Sequence, residues 1–536
     1  MPSLVLGPML RYVGEGCATI WVETDTACEV EVLGHRSATF CVGAHHYAVV
    51  AVEGLPTGAT TAYDVTLDGH RVWPLNNGWP PSVIRDWQPD QPYRLAWGSC
   101  RVTAPLDDPK PGVDALHALA ERMRHQPCEQ WPLDLLFVGD QVYADENISP
   151  QTRAFIASRR DTSVGAGPQV ADFEEYTRLY QEAWSAEPIR WLLSTVPSAM
   201  IFDDHDVHDD WNTSEAWRRQ AKATSWWQER ITGALMAYWL YQHLGNLEPA
   251  ELAGSELLAR LRAVPDGAAV LRAHAEQADA EADGGPGIRW SYRRTLGTSR
   301  LLVIDSRCGR VLAGEHREMV NEDEWAWIVE QTSGDADHLL IATSLPYLLP
   351  SGVHGLEAWN EAVCAGRWGR RLAAEGEKLR QAVDLEHWAA FGDSFARMTD
   401  LVAEVGSGAR GKAPATITFL SGDVHFAYVA EGRFPHRADV TSRVLQAVCS
   451  PFRNPLPEGM RYGQRLASST AAHKIGRGLA ASAGVARPGI GWEVTYGPAF
   501  GNEVATLELT GRHAQLTVEA SVPGPALKHS FTARLS

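Results

Sequence analysis

The stretch Ser198–Asn212 reads SAMIFDDHDVHDDWN. Its apolar run, Ala199–Phe202, has the composition of a buried strand. Asp203, Asp204, His205, Asp206, His208, Asp209 and Asp210 follow at once. In open α/β sheets the carboxyl ends of strands are where ligands bind. Carboxylates this dense need a cation to neutralise them. The stretch therefore predicts a metal site at a strand end, with a solvated acidic loop as the alternative.

The same design recurs along the chain. Arg94–Trp97 is strand-like and ends in Gly98-Ser99-Cys100-Arg101. Asp134–Val138 ends in Gly139-Asp140-Gln141-Val142-Tyr143-Ala144-Asp145. Thr416–Leu420 ends in Ser421-Gly422-Asp423-Val424-His425. Glycine beside such residues lets the backbone turn sharply and approach a ligand closely. A thiolate and a phenolate suit a trivalent or borderline metal such as iron, whereas carboxylates suit Ca, Mg or Mn. One Asp can bridge two ions, and such a pair stabilises both the attacking and the leaving oxygen of a phosphoryl transfer.

These four boxes, in this order and at strand ends, resemble the alkaline phosphatase D family of metallophosphoesterases, a branch similar to the calcineurin-like and purple acid phosphatases. The resemblance runs from about Leu4 to Asp439. It implies that Asp140 bridges two metals, that Cys100 and Tyr143 bind iron, and that Asp204 and Asp423 bind the second metal. It implies that His425 is also a ligand and that His205 contacts the phosphate and donates a proton to the leaving group. The implied cofactors are Fe3+ with one or two divalent cations, Ca2+ first, with Mg2+, Mn2+ or Zn2+ as alternatives. The implied reaction is hydrolysis of phosphomonoesters or phosphodiesters through a metal-bound hydroxide, on a small phosphorylated substrate.

Each residue also has a plainer reading. Cys100 is alternatively a core thiol and Tyr143 a packed aromatic. Asp203 reads as a cap or as the partner of an arginine and, as the residue before a ligand, is expected to point away from it. Asp206 is expected to orient His205. His208, Asp209 and Asp210 read as loop residues, and Asn212 as an additional ligand. Arg101 reads either as a phosphate contact or as one half of a surface ion pair. Asp305–Arg307 and Ser344 read as structural. Two other functions compete: a non-catalytic binding protein on an inactive scaffold, and a nuclease.

Composition narrows these classes. At 536 residues the chain exceeds what one core usually serves. The net charge of −18 argues against a nucleic-acid binder. No apolar run is long enough to span a bilayer, and no export signal is recognisable, so the expectation is a cytoplasmic protein without a membrane segment, with a secreted mature form whose signal has been trimmed as the alternative. The 8 cysteines form no C-x-x-C pair, which fits reduced thiols.

The pattern as a whole predicts an α/β (α+β) chain. Short alternating segments such as Ala18–Val22, Glu29–Leu33, Ala48–Val52 and Ala62–Leu67 indicate an immunoglobulin- or fibronectin-like β-sandwich over residues 1–90, with Trp21 in its core. His45 and His46 face opposite ways and are not expected to be ligands. Residues 91–536 are expected to form a metallophosphoesterase-type two-sheet α/β/β/α sandwich. A helical insertion is expected around 215–285; its second piece, Pro249–Asp283, rich in Ala and Glu, reads as a surface insertion, with a lid as one role open to it. The C-terminal strands, including Val504–Leu509 and Gln515–Glu519, are expected to complete the second sheet.

Overall fold

The structure, a computed structural model, describes residues 1–75, 77–313, 317–467 and 469–536. Residues up to Arg85 are strand-rich. One four-stranded sheet runs Leu4–Gly14, Cys17–Thr24, His45–Val52, Phe40–Val42, and a second runs His35–Ala38, Glu29–Val32, Val65–Leu67, His70–Trp73. Alternate residues of both sheets, among them Ile20, Val22, Val30, Val50 and Val65, share one apolar core. The expected strand Ala62–Leu67 is two short ones, Thr60–Ala62 and Val65–Leu67, and the first pairs with Val83–Arg85 instead.

Trp21 is a correction. It is fully buried, but on the other face of its sheet, where its ring lies 5.5 Å from that of Tyr241. Trp73 occupies the core between the two sheets. Successive strand residues face opposite ways, so Ile20 and Val22 line that core while Trp21 seats the sheet on the rest of the chain.

Two larger sheets follow. In the first, Ser198–Ile201, Asp134–Val138 and Tyr93–Gly98 lie parallel, and Glu503–Thr510, His513–Val522 and Ala526–Arg534 continue it antiparallel. The second runs Tyr292–Leu296, Ser299–Val303, His338–Ala342, Thr416–Ser421, Arg443–Val448, Ala427–Arg433, Gly491–Ala499, with its four middle strands from Ser299–Val303 to Arg443–Val448 parallel. The expectation that the C-terminal strands complete the second sheet thus holds only for Gly491–Ala499; the last three strands extend the first. Alternation gives a strand two faces but does not choose its neighbour.

The sheets meet through a common core. Leu340, Ala342 and Leu420 of the second sheet join Leu95, Leu135 and Phe137 of the first. Their neighbours Leu339, Ile341 and Phe419 face the opposite way, onto Phe395, Met398 and Val402 of the helix Gly392–Ser407.

Of the helices at 215–285, those from Pro249 onward lie at the surface and bury one side, whereas the one before them is core. Trp227–Tyr241 is buried along its whole length except for Gln228 and Glu229. It holds Arg11, whose guanidinium donates to the carbonyls of Tyr241 and Gln242 at 2.7 Å each. Among the described residues, no helix is long and apolar enough to cross a membrane.

Candidate metal centre

Four turns, each at the carboxyl end of a parallel strand, converge between the sheets. Cys100 follows Tyr93–Gly98, Asp140 follows Asp134–Val138, Asp204 follows Ser198–Ile201, and Asp423 follows Thr416–Ser421. Glycine makes the approach possible at two of them. A Cβ on Gly422 would lie 2.0 Å from Ser99 Oγ, and one on Gly139, at φ +107°, would lie 2.5 Å from the Asp203 Cβ. With those side chains absent, Asp423 N–H donates to Ser99 Oγ at 3.0 Å, which ties the two sheets together at their edges. Cys100, Asp140, Asp423 and His425 all have left-handed φ, between +51° and +67°. Strain of this kind clusters at functional sites, where the surrounding structure enforces it.

The donors sort into three overlapping groups, each with its ligand atoms within 4.8 Å of one another: Cys100, Asp140 and His425; Asp140, Asp204 and His205; Asp203, Asp204 and Asp423. Asp140 belongs to two of them. The Cys100 thiol and the Tyr143 hydroxyl both donate to Asp140 Oδ2, at 3.3 and 3.4 Å. Asp140 Oδ1 is buried with no hydrogen-bond partner. A buried carboxylate oxygen left unpaired costs free energy of desolvation. A cation at that atom removes the cost.

The electrostatics point the same way. Burial raises the Asp140 carboxyl well above the usual range, and Asp203, Asp204 and Asp206 raise it further. Burial likewise raises Asp204. The Cys100 thiol is pushed far up by burial and by the charges of Asp140 and Asp423, and the Tyr143 phenol by burial and by Cys100. Burial pushes His425 down to about 4, so it is neutral at pH 7 with its nitrogens available as donors. Protons alone would leave Asp140, Cys100 and Tyr143 neutral, whereas cations would ionise them into a ligand set.

A layer of residues behind the donors positions them, and sequence reasoning missed most of it. Arg307 is fully buried. It donates to Asp203 and Glu386, and a third nitrogen lies 3.3 Å from Asp204 Oδ1. Burial opposes its charge, but Asp203, Asp204 and Glu386 hold the guanidinium charged. The expectation of an arginine partner for Asp203 is met by a residue read as structural. Asp203 does not point away from the centre, because one of its oxygens lies in the group with Asp204 and Asp423. His387 Nε2 lies 2.9 Å from Asp423 Oδ2, and its Nδ1 lies 2.7 Å from Glu357. Burial raises Asp423, yet His387 outweighs it and keeps that carboxyl low.

Asp206 does not orient His205. Its carboxylate accepts backbone N–H bonds from Asp140 and Asp203 at 2.9 Å and from Gln141 and Val142 at 3.2 and 3.3 Å. It therefore clamps two of the donor turns to each other. The partner of His205 is Asp145, 3.0 Å from Nδ1. Burial disfavours the imidazolium, but Asp145 and Asp204 outweigh it and hold the His205 pKa well above its ordinary value.

Two further expectations are corrected. Arg101 is buried and occupied by Asp114 at 2.7 Å and the Ala183 carbonyl, so it is neither a surface pair nor placed to hold phosphate. Asn212 is no ligand: its Oδ1 accepts from Arg218 and its Nδ2 donates to the Arg307 carbonyl.

The centre opens into a cleft with a volume of about 270 Å³. Asp140, Asp204, His205, Asp423 and His425 form its floor, and its walls come from residues 349–387 and 456–464. None of the described lining residues belongs to 215–285, and none is Lys or Arg. A phosphate bound here would have to be met by cations or by imidazolium.

Comparison with known proteins adds three matches to this geometry. Residues 99–254 match the family model of PhoD-like phosphatases, and residues 1–84 match one described as a domain of unknown function, DUF7800. No curated protein matches the chain. A solved structure titled "Structure of PhoD" superposes on 100% of this chain and 92% of its own, with a TM-score of 0.59 at 11% identity. That likeness is one of fold.

Proposed function

We propose that this chain, which belongs to the PhoD-like phosphatases, hydrolyses phosphoesters of small molecules with a binuclear metal centre. The single observation carrying this reading is Asp140. Its carboxylate is shared between two donor groups, one with Cys100 and His425 and one with Asp204 and His205, and one of its oxygens is buried and unpaired.

The residues fit two ions of different character. Cys100, Tyr143 and His425 would hold an iron-type ion beside Asp140, and Asp204 and Asp423 would hold a hard divalent ion such as Ca2+. Ions there would supply Lewis acidity and lower the pKa of water to near neutrality. The rest is the work of side chains. Asp145 fixes the ring of His205 through Nδ1, leaving Nε2 toward the cleft to hold a proton for the leaving oxygen. Arg307, buried behind Asp203 and Asp204, offsets part of the upward push of burial on those carboxyls without entering the cleft. The Asp206 clamp holds the turns of Asp140 and Asp203 at fixed separation.

Small substrates are favoured over nucleic acid. A cleft without Lys or Arg, with Asp209 and Asp384 in its lining, repels a polyanion beyond the single phosphate that the ions neutralise. We place the strand-rich part, residues 1–90, as a β-sandwich that supports the catalytic part, 91–536, whose two facing sheets correspond to the α/β/β/α layout.

The test is hydrolysis of a panel of soluble phosphomonoesters and phosphodiesters, with and without a chelator. Turnover of at least one class, abolished by chelation and restored by added metal, is expected. Full activity in the stripped protein would refute the reading.

A further inference from the structure

One wall of the cleft ends in a surface that hydrolysis does not use. The helices Glu458–Ala467 and Thr470–Ser482 stand at its rim, and Met460 of the first lines the cleft. Thirteen large apolar side chains are exposed among the described residues, and four of them fall within residues 460–475. They are Met460 at 56%, Tyr462 at 74%, Leu466 at 61% and Ile475 at 64% exposed. Single exposed apolar residues are ordinary; a cluster of this kind marks an interaction site.

Charge identifies the partner. Residues 456–487 carry Arg461, Arg465, Lys474, Arg477 and Arg487 against one carboxylate, Glu458, in a chain of net charge −18. Among the described residues none of these five cations is held in an ion pair; Arg461 donates to the Leu456 carbonyl and Arg465 lies over the ring of Phe500. On the helix Glu458–Ala467, Tyr462 and Leu466 are one turn apart and form an apolar stripe. Arg461 and Arg465 form the stripe beside it. A short amphipathic helix of this composition lies in the plane of an anionic membrane surface, with rings and alkyl chains inserted and guanidinium groups at the headgroups. A second copy of the chain fits worse, because a two-fold pairing through this patch would set five cations against five.

The second of the two helices is packed closely on the rest of the chain. The helix Thr470–Ser482 is seated on Ser351–Cys364 by glycines: a Cβ on Gly355 would lie 2.5 Å from the Gly476 carbonyl carbon, and one on Gly476 would lie 2.6 Å from the Gly352 oxygen. That seat leaves Lys474 and Ile475 exposed.

We propose that these two helices dock the protein on an anionic phospholipid surface, with the mouth of the cleft at the interface. Such peripheral contact needs no helix long and apolar enough to cross a membrane, and there is none among the described residues.

The test is flotation of the full chain with vesicles of phosphatidylcholine alone or mixed with phosphatidylglycerol. Association with the mixed vesicles only, weakened by salt, is expected. Tyr462→Ser/Leu466→Ser/Ile475→Ser and Arg465→Glu/Lys474→Glu/Arg477→Glu should each lower partitioning by roughly tenfold or more. Both variants should keep the wild-type rate on a soluble phosphoester, since none of these side chains belongs to the metal centre. No flotation of the wild type, or equal flotation of the variants, would overturn the proposal. A wild-type dimer that the serine variant turns to monomer, with no vesicle binding, would overturn it as well. None of these readouts depends on catalysis.

Discussion

His205 is held by Asp145, whose two carboxylate oxygens lie 3.0 and 3.1 Å from Nδ1. The contact sets the tautomer, orients the ring, and favours the protonated form. Asp145→Asn keeps the shape but loses the charge. It should lower kcat by about 10–100-fold with KM little changed. Removing the carboxylate lowers the His205 pKa, so the alkaline limb of the kcat profile should move to lower pH. A profile that does not move would show that His205 is not the proton donor.

Arg307 is the counter-charge of three buried carboxylates. Arg307→Met leaves them facing one another. A loss of about 3–5 kcal/mol of stability is expected by chemical denaturation. Added divalent metal should recover part of it, because cations at Asp204 replace the missing charge. Loss without any metal response would separate Arg307 from the centre.

His45 joins the strand-rich part to the helix Phe173–Trp184, with Glu23 2.8 Å from Nδ1 and Glu174 3.1 Å from Nε2. Burial disfavours its charge, but the two carboxylates outweigh that and raise its pKa to about 9. A raised pKa stabilises the fold fully below the unfolded value of about 6.5, and the stabilisation is lost as pH rises through about 9. Glu174 is 39% exposed and screened, so the effect should be about 1–2 kcal/mol. Denaturation of wild type and His45→Gln at pH 6 and above pH 9 should show the gap closing at high pH; a constant gap would contradict it.

The donor turns were legible in the sequence because each is local: an apolar strand, a small residue or an acid, then Cys, Asp or His within a few residues. Their supports were not. His387 reaches Asp423 across 36 positions, and Arg307 reaches Asp203 across 104, with no periodicity to announce either pair. Asp206 was assigned to the wrong partner because its role depends on how its turn folds back, which brings four backbone N–H groups to one carboxylate. How the helices pack is hidden from composition for a related reason. Composition identified the helices near 215–285, but only packing shows that Trp227–Tyr241 is core and that the rim is built from 349–387 and 456–464.

The metal content of the purified full-length chain, measured beside that of Asp140→Asn, tests the binuclear centre most directly. About two ions per wild-type chain are expected, with fewer than about one in the variant and hydrolysis reduced by roughly a thousandfold or more. A wild-type chain that hydrolyses phosphoesters at full rate with no bound metal, or an Asp140→Asn chain that keeps both its ions and its rate, would contradict it.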